Sequence, residues 1–264
     1  MKLFRVTRFH FLALTTKKMI IVTIAVFVVH YFFTMQMYNI NSPNRLTLIM
    51  ILFYGPASLQ TGIMSWLLHQ VPLLMWIGNF IHGEFKARSA YIIPRAGHVS
   101  LWLSSILIAI FMFTCLYYSL GYLVSIGLTF WQTGAQNHPF DPGLIPLLQE
   151  DSMCSLVTSQ FLLIVLGSLL MMFINMLLTM AFKHSTIAFV VSITNILVAA
   201  SLPHSLTFVK WMPAAQNMLI KHNISSFSLA WSLGYILIAI SVLIPLIYVF
   251  INRYLEELII SEHL

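Results

Sequence analysis

The chain has 264 residues, of which 59% are hydrophobic and 8% charged, and its mean hydropathy is +0.91. A soluble domain of this length cannot cover so much apolar surface with so few charges, which excludes a water-soluble globular protein. The net charge of +6 needs no nucleic acid as a partner, because the basic residues distribute as the positive-inside bias of a membrane protein.

Residues 1–18 precede the first long apolar run. On a helical projection Leu3, Phe4, Val6, Phe11 and Leu14 fall near one face, and Lys2, Arg5, Arg8 and Thr15 near the other, with Phe9 and Leu12 interrupting the pattern. This predicts a basic amphipathic helix in the inner headgroup layer, with Lys2, Arg5 and Arg8 held at acidic membrane lipid. No small-residue cleavage site follows the apolar run, so a retained anchor is expected rather than a signal peptide.

Six apolar stretches follow: Met19–Tyr38, Leu46–Ile81, Val99–Phe130, Leu156–Phe182, Thr186–Leu202 and Leu229–Ile251. A crossing takes about 20 residues. The second stretch is too long for one crossing, and Gly55-Pro56 and Val71-Pro72 are expected to break it, leaving a tilted or re-entrant first part. The fold is therefore expected to be all-α, a polytopic integral membrane protein of six transmembrane helices. One domain fills residues 1–264: the interfacial helix over 1–18, a bundle over 19–253 and a tail over 254–264.

With an even number of spans both termini share one side. That side collects Lys2, Arg5, Arg8, Lys17, Lys18, Lys86, Arg88, Arg95, Lys183 and Arg253, against Arg45, Lys210 and Lys221 on the other. The basic side is the cytoplasm. The loop Thr129–Ser155 has no Lys or Arg and carries Asp141, Glu150 and Asp151, as an outer loop should. Pro203–Ser228 is a second outer loop that can dip into the outer leaflet, and Asn223-Ile224-Ser225 in it matches a glycosylation sequon. Cys115 and Cys154 do not make a disulfide framework.

Between the second and third stretches lies a polar island, Asn79–His98. Glu84 and Arg88 stand four apart in the order that favours an ion pair on a helix. Pro94 disfavours helix at the residue before it, so a short helix here is expected to end by Ile93.

No HExxH, GxSxG, Walker A or CxxC pattern is present. His30 and His69 lie in apolar surroundings without a second ligand at helical spacing. Gln70, Gln160, Asn175 and Asn195 are expected to bond between helices. The spans hold essentially no Asp, Glu, Lys or Arg, so coupling to an ion gradient has no residue to act through, and energy would come from another subunit. The Glu84-x-x-x-Arg88 spacing also appears in the CPBP family of intramembrane proteases. Those carry two adjacent Glu where this chain has Gly83-Glu84, and they need further His at membrane depth.

The whole plan resembles the membrane subunit of an ABC transporter of the type-2 permease family. In that family the segment between spans two and three begins with a Glu and basic residues, passes a Ser and an apolar run, and reaches a Pro. Here those positions are Glu84, Arg88, Ser89, Tyr91, Ile92, Ile93 and Pro94. The resemblance implies that Gly83–Tyr91 is a cytoplasmic coupling helix, with Glu84, Phe85, Arg88 and Tyr91 as its contact with an ATPase subunit. It also implies a second permease subunit, identical or related, and ATP bound by the ATPase rather than by this chain, which would hold no cofactor and catalyse nothing itself. Size and loops are most similar to Gram-positive exporters of peptides such as lantibiotics and other bacteriocins, in the bacterial plasma membrane. The alternatives are a membrane-embedded enzyme such as a CPBP-like protease using Glu84 and Arg88, an ATPase-independent carrier, and a sensor or scaffold subunit.

Overall fold

The computed structural model describes residues 2–38, 45–56, 62–133, 153–202, 206–222 and 227–261, and among them the chain is helical throughout, without a strand. In chain order the helices are α1 (Lys2–Leu14), α2 (Lys17–Tyr38), α3 (Arg45–Leu52), α4 (Ile63–Gly83), α5 (Ser89–Ala96), α6 (Val99–Thr133), α7 (Met153–Phe182), α8 (Ser185–Ser201) and α9 (Leu229–Ser261). Four are long and apolar enough to cross a bilayer: α2, α6, α7 and α9. This is a membrane protein in its architecture. Most of the expected outer loop Thr129–Ser155, the sequon at Asn223 and the Cys154 side chain lie outside the described residues.

The second and fifth apolar stretches take other forms. The second divides into the 8-residue α3 and the 21-residue α4. The break falls at Gly55, whose φ of 105° is open to glycine. A buried segment from the far end of the chain holds it there: the Ile220 amide donates to the Tyr54 carbonyl at 2.8 Å. Pro72, in contrast, does not break α4. It cannot donate to the carbonyl four residues back, but the neighbouring His69 carbonyl accepts the Tyr117 hydroxyl at 2.9 Å. The fifth stretch forms the 17-residue α8. Its C-terminal carbonyls, Ala200 and Leu202, accept the buried Lys221 ammonium at 3.2 and 2.8 Å. A cation there answers the negative end of the helix dipole.

At 35 residues α6 is about 52 Å long and outruns a hydrocarbon core of roughly 30 Å. Helix α1 packs against it, beside Ile108 and Met112. The buried stripe of α1 is Thr7, His10 and Leu14, of which only Leu14 belongs to the apolar face read from the sequence. Phe4, Phe9 and Leu12 point away from the bundle, interleaved with exposed Lys2, Arg5 and Arg8. Lys and Arg stems can lie along such apolar surface while their charges reach water.

The segment 206–222 forms three short 3₁₀ turns, over Thr207–Trp211, Pro213–Ala215 and Leu219–His222. It packs into the bundle rather than lying over it: Ala214, Ala215, Gln216, Asn217, Met218 and Leu219 are buried. Gly167 of α7 admits it, since a Cβ there would collide with Asn217. Gly121 of α6 does the same for α2, where a Cβ would overlap the Phe27 ring.

Candidate functional site

Helix α4 does not end at the polar island. Gly83, Glu84 and Ser89 keep right-handed helical dihedrals, and the chain passes through a π-turn, Glu84–Arg88, directly into α5. In a π-turn amides reach five residues back, and such turns concentrate at functional sites. Here the Ser89 hydroxyl supplies the four-residue spacing instead, donating to the Phe85 carbonyl at 2.7 Å. Helix α5 continues past Ile93, where the sequence predicts its end, and includes Pro94. The stop comes at Gly97, with φ 91°, whose amide closes on the Ile93 carbonyl at 3.0 Å. A glycine in the left-handed region is a stronger terminator here than a proline near an exposed helix end.

The π-turn sorts the predicted contact residues onto different sides. Glu84 points inward, with its Oε2 3.5 Å from Nδ1 of His10 on α1, and both side chains are 0% exposed. Phe80 and Phe9 set their rings edge-on to the imidazole. Phe85 is buried beside Trp102 of α6, ring centroids 5.6 Å apart. Tyr91 is 73% exposed and Lys86 is exposed as well. The Arg88 side chain lies outside the described part of the structure. Glu84 and Phe85 therefore tie α4, α1 and α6 together, while Lys86 and Tyr91 face outward. Sequence reasoning grouped Glu84, Phe85, Arg88 and Tyr91 on one surface and missed His10. The available signal was that His10 shares a helical face with Thr7 and Leu14, opposite a lone acid at the same membrane boundary.

A second polar set runs through the bundle. His30 Nε2 lies 2.9 Å from the Leu52 carbonyl, so that nitrogen carries the proton, and Nδ1 accepts from Ser65 at 3.0 Å. Gln70, Tyr118 and Ser168 join α4, α6 and α7. Gln70 donates to the Tyr118 hydroxyl at 2.9 Å, and that hydroxyl lies 2.7 Å from Ser168. Gln160 donates to the Met50 carbonyl at 2.8 Å and accepts from Tyr122 at 3.3 Å. These glutamines bond between elements, as the sequence leads one to expect. Asn175 makes long contacts of 3.5 Å with the Leu74 carbonyl and Ser192.

His69 stands 4.9 Å from His30, centroid to centroid, within a cage that includes Phe27, Phe53 and Trp66. Neither of its ring nitrogens has a hydrogen-bond partner. Among the described residues no three His, Cys, Asp or Glu side chains are grouped to hold a metal ion. Comparison with protein-family profiles, curated proteins and solved structures finds no match to this chain.

Proposed function

We propose that the chain is the membrane permease subunit of an ATP-driven type-2 ABC transporter. The remaining crossings would be α4 and α8, giving six spans with both termini in the cytoplasm. The observation that carries the reading is the unbroken passage from α4 through the π-turn into α5. A force on α5 has no loop to dissipate in, so it passes to α4 through helical backbone and to α1 through Glu84 and His10. In this reading the ATPase contact includes the outward-facing Lys86 and Tyr91 together with Arg88, which the family resemblance adds, whereas Glu84 and Phe85 are positioning residues behind it. ATP binds to the partner ATPase, and a second permease, identical or related, completes the pathway. An amphipathic or hydrophobic peptide or lipid-like compound suits the apolar bundle as cargo, with export from a bacterial cell as the direction.

The test is ATP hydrolysis by the reconstituted complex. Arg88→Glu and Tyr91→Ala should insert normally and lower substrate-stimulated hydrolysis and transport together. Wild-type coupling in both variants would remove the assignment.

A further inference from the structure

The surface between α7 and α9 carries an apolar groove of about 600 Å³. Trp211, Trp231, Gly234, Tyr235 and Ile238 line it, and it runs on to Leu243 of α9. The distance from Trp231 to Leu243 is roughly 18 Å at 1.5 Å per helical residue, close to half of a 30 Å hydrocarbon core. The groove is therefore one leaflet long. A helix of a second copy would need a face extending across the whole span, whereas an acyl chain needs only this length. Its volume is also in the range of small-ligand sites, roughly 300–1,000 Å³.

One end of the groove is marked by charge. Lys210 places its ammonium 5.8 Å from the Trp211 ring and 5.4 Å from the Trp231 ring. The turn that carries it is fixed to α9. The Trp231 indole N–H donates to the Lys210 carbonyl at 3.2 Å, and the Tyr235 hydroxyl donates to the Trp211 carbonyl at 2.9 Å. Gln216 donates to the same Lys210 carbonyl at 2.8 Å. Among the described residues no acidic side chain pairs with the ammonium. A tryptophan pair beside a cation is an arrangement for the water-membrane boundary. We infer that this groove binds an anionic phospholipid, one acyl chain lying along α9 and the phosphate at Lys210.

The inference is independent of the ATPase reading, because it uses only the surface of α7 and α9 and the turn Thr207–Trp211 packed on it. Gly234 gives a clean probe. A Cβ built there meets nothing within 4 Å, and Gly234 lines the groove, so a side chain at this position starts into open groove space.

The experiment uses the full chain in nanodiscs containing phosphatidylglycerol or phosphatidylcholine with a photoactivatable acyl chain, and maps the labelled peptides. Wild type should be labelled at 230–243 with phosphatidylglycerol preferred. Lys210→Gln should lower that preference roughly fivefold, the loss expected for one basic contact with an anionic headgroup, while phosphatidylcholine labelling persists. Gly234→Leu should remove labelling at 230–243 for both lipids. Equal labelling by the two lipids in wild type, or a preference unchanged by Lys210→Gln, would overturn the inference. So would disulfide cross-linking of an Ile238→Cys variant between two copies, which would make the groove an interface between copies.

Discussion

Glu84 and His10 hold two ionisable groups where no water reaches them. Removing one member of a buried pair costs more than replacing both, because the remaining buried group loses part of its electrostatic compensation. His10→Leu should therefore lower stability by roughly 3 kcal/mol. The double variant His10→Leu/Glu84→Leu should recover most of that loss. Thermal unfolding in detergent checks this, and simply additive losses would show that the two side chains do not act as a pair. A second residue sets a pH dependence. His222 lies 3.0 Å from the Met218 carbonyl and 2.6 Å from the Ser232 hydroxyl, itself bonded to Gln216 at 2.7 Å. Burial pulls the His222 imidazole down from 6.5 to about 4. The unfolded chain takes up the proton first, so this contribution is complete above pH 6.5 and is lost as pH falls from there through about 4. The amount at stake is on the order of 3 kcal/mol. Unfolding temperatures measured from roughly pH 7.5 to 4.5 should fall less in His222→Gln than in wild type. Equal slopes would place the acid sensitivity elsewhere.

Two glycines, Gly121 and Gly167, let other elements approach closely in this bundle. Gly121→Ala pushes a methyl into the Phe27 ring and should destabilise by about 1–3 kcal/mol, as overpacking does. Gly127 lies on the same helix with open space around it, and Gly127→Ala should be neutral or slightly stabilising. Equal effects at the two positions in thermal unfolding would contradict the α2–α6 packing. Prolines show why element boundaries were only partly legible in the sequence. Gly55-Pro56 marked a real break, because the chain there adopts a conformation that glycine allows. Val71-Pro72 had the same local signature yet lies inside α4. Nothing within ten residues of Pro72 could have announced that. Tyr117→Phe should cost about 1 kcal/mol by removing the buried hydroxyl's bond to the His69 carbonyl, a loss that thermal unfolding would register.

Across the whole molecule, hydropathy made the four long crossing helices legible, since length and apolar content need no tertiary information. The short turn between α7 and α8 was also legible, with Lys183 at φ 54° between helices ending at Phe182 and beginning at Ser185. The burial of 206–222 was not, because Gln216, Lys221 and His222 read as loop residues until the bundle provides their partners. The polar island showed the same limit. Its composition pointed to a contact with water, but only the π-turn decides that Glu84 turns into the protein and Tyr91 away from it. The proposed permease assigns these two sides separate work, an inner tether and an outer contact with the ATPase.

The most direct measurement of that claim is purification of the tagged chain from its native membrane in mild detergent, with mass spectrometry of the proteins that accompany it. The account predicts a stoichiometric P-loop ATPase that is lost in Tyr91→Ala/Arg88→Glu, whose membrane insertion stays normal. A chain that purifies without an ATPase, or one that keeps it undiminished in that variant, would contradict the account.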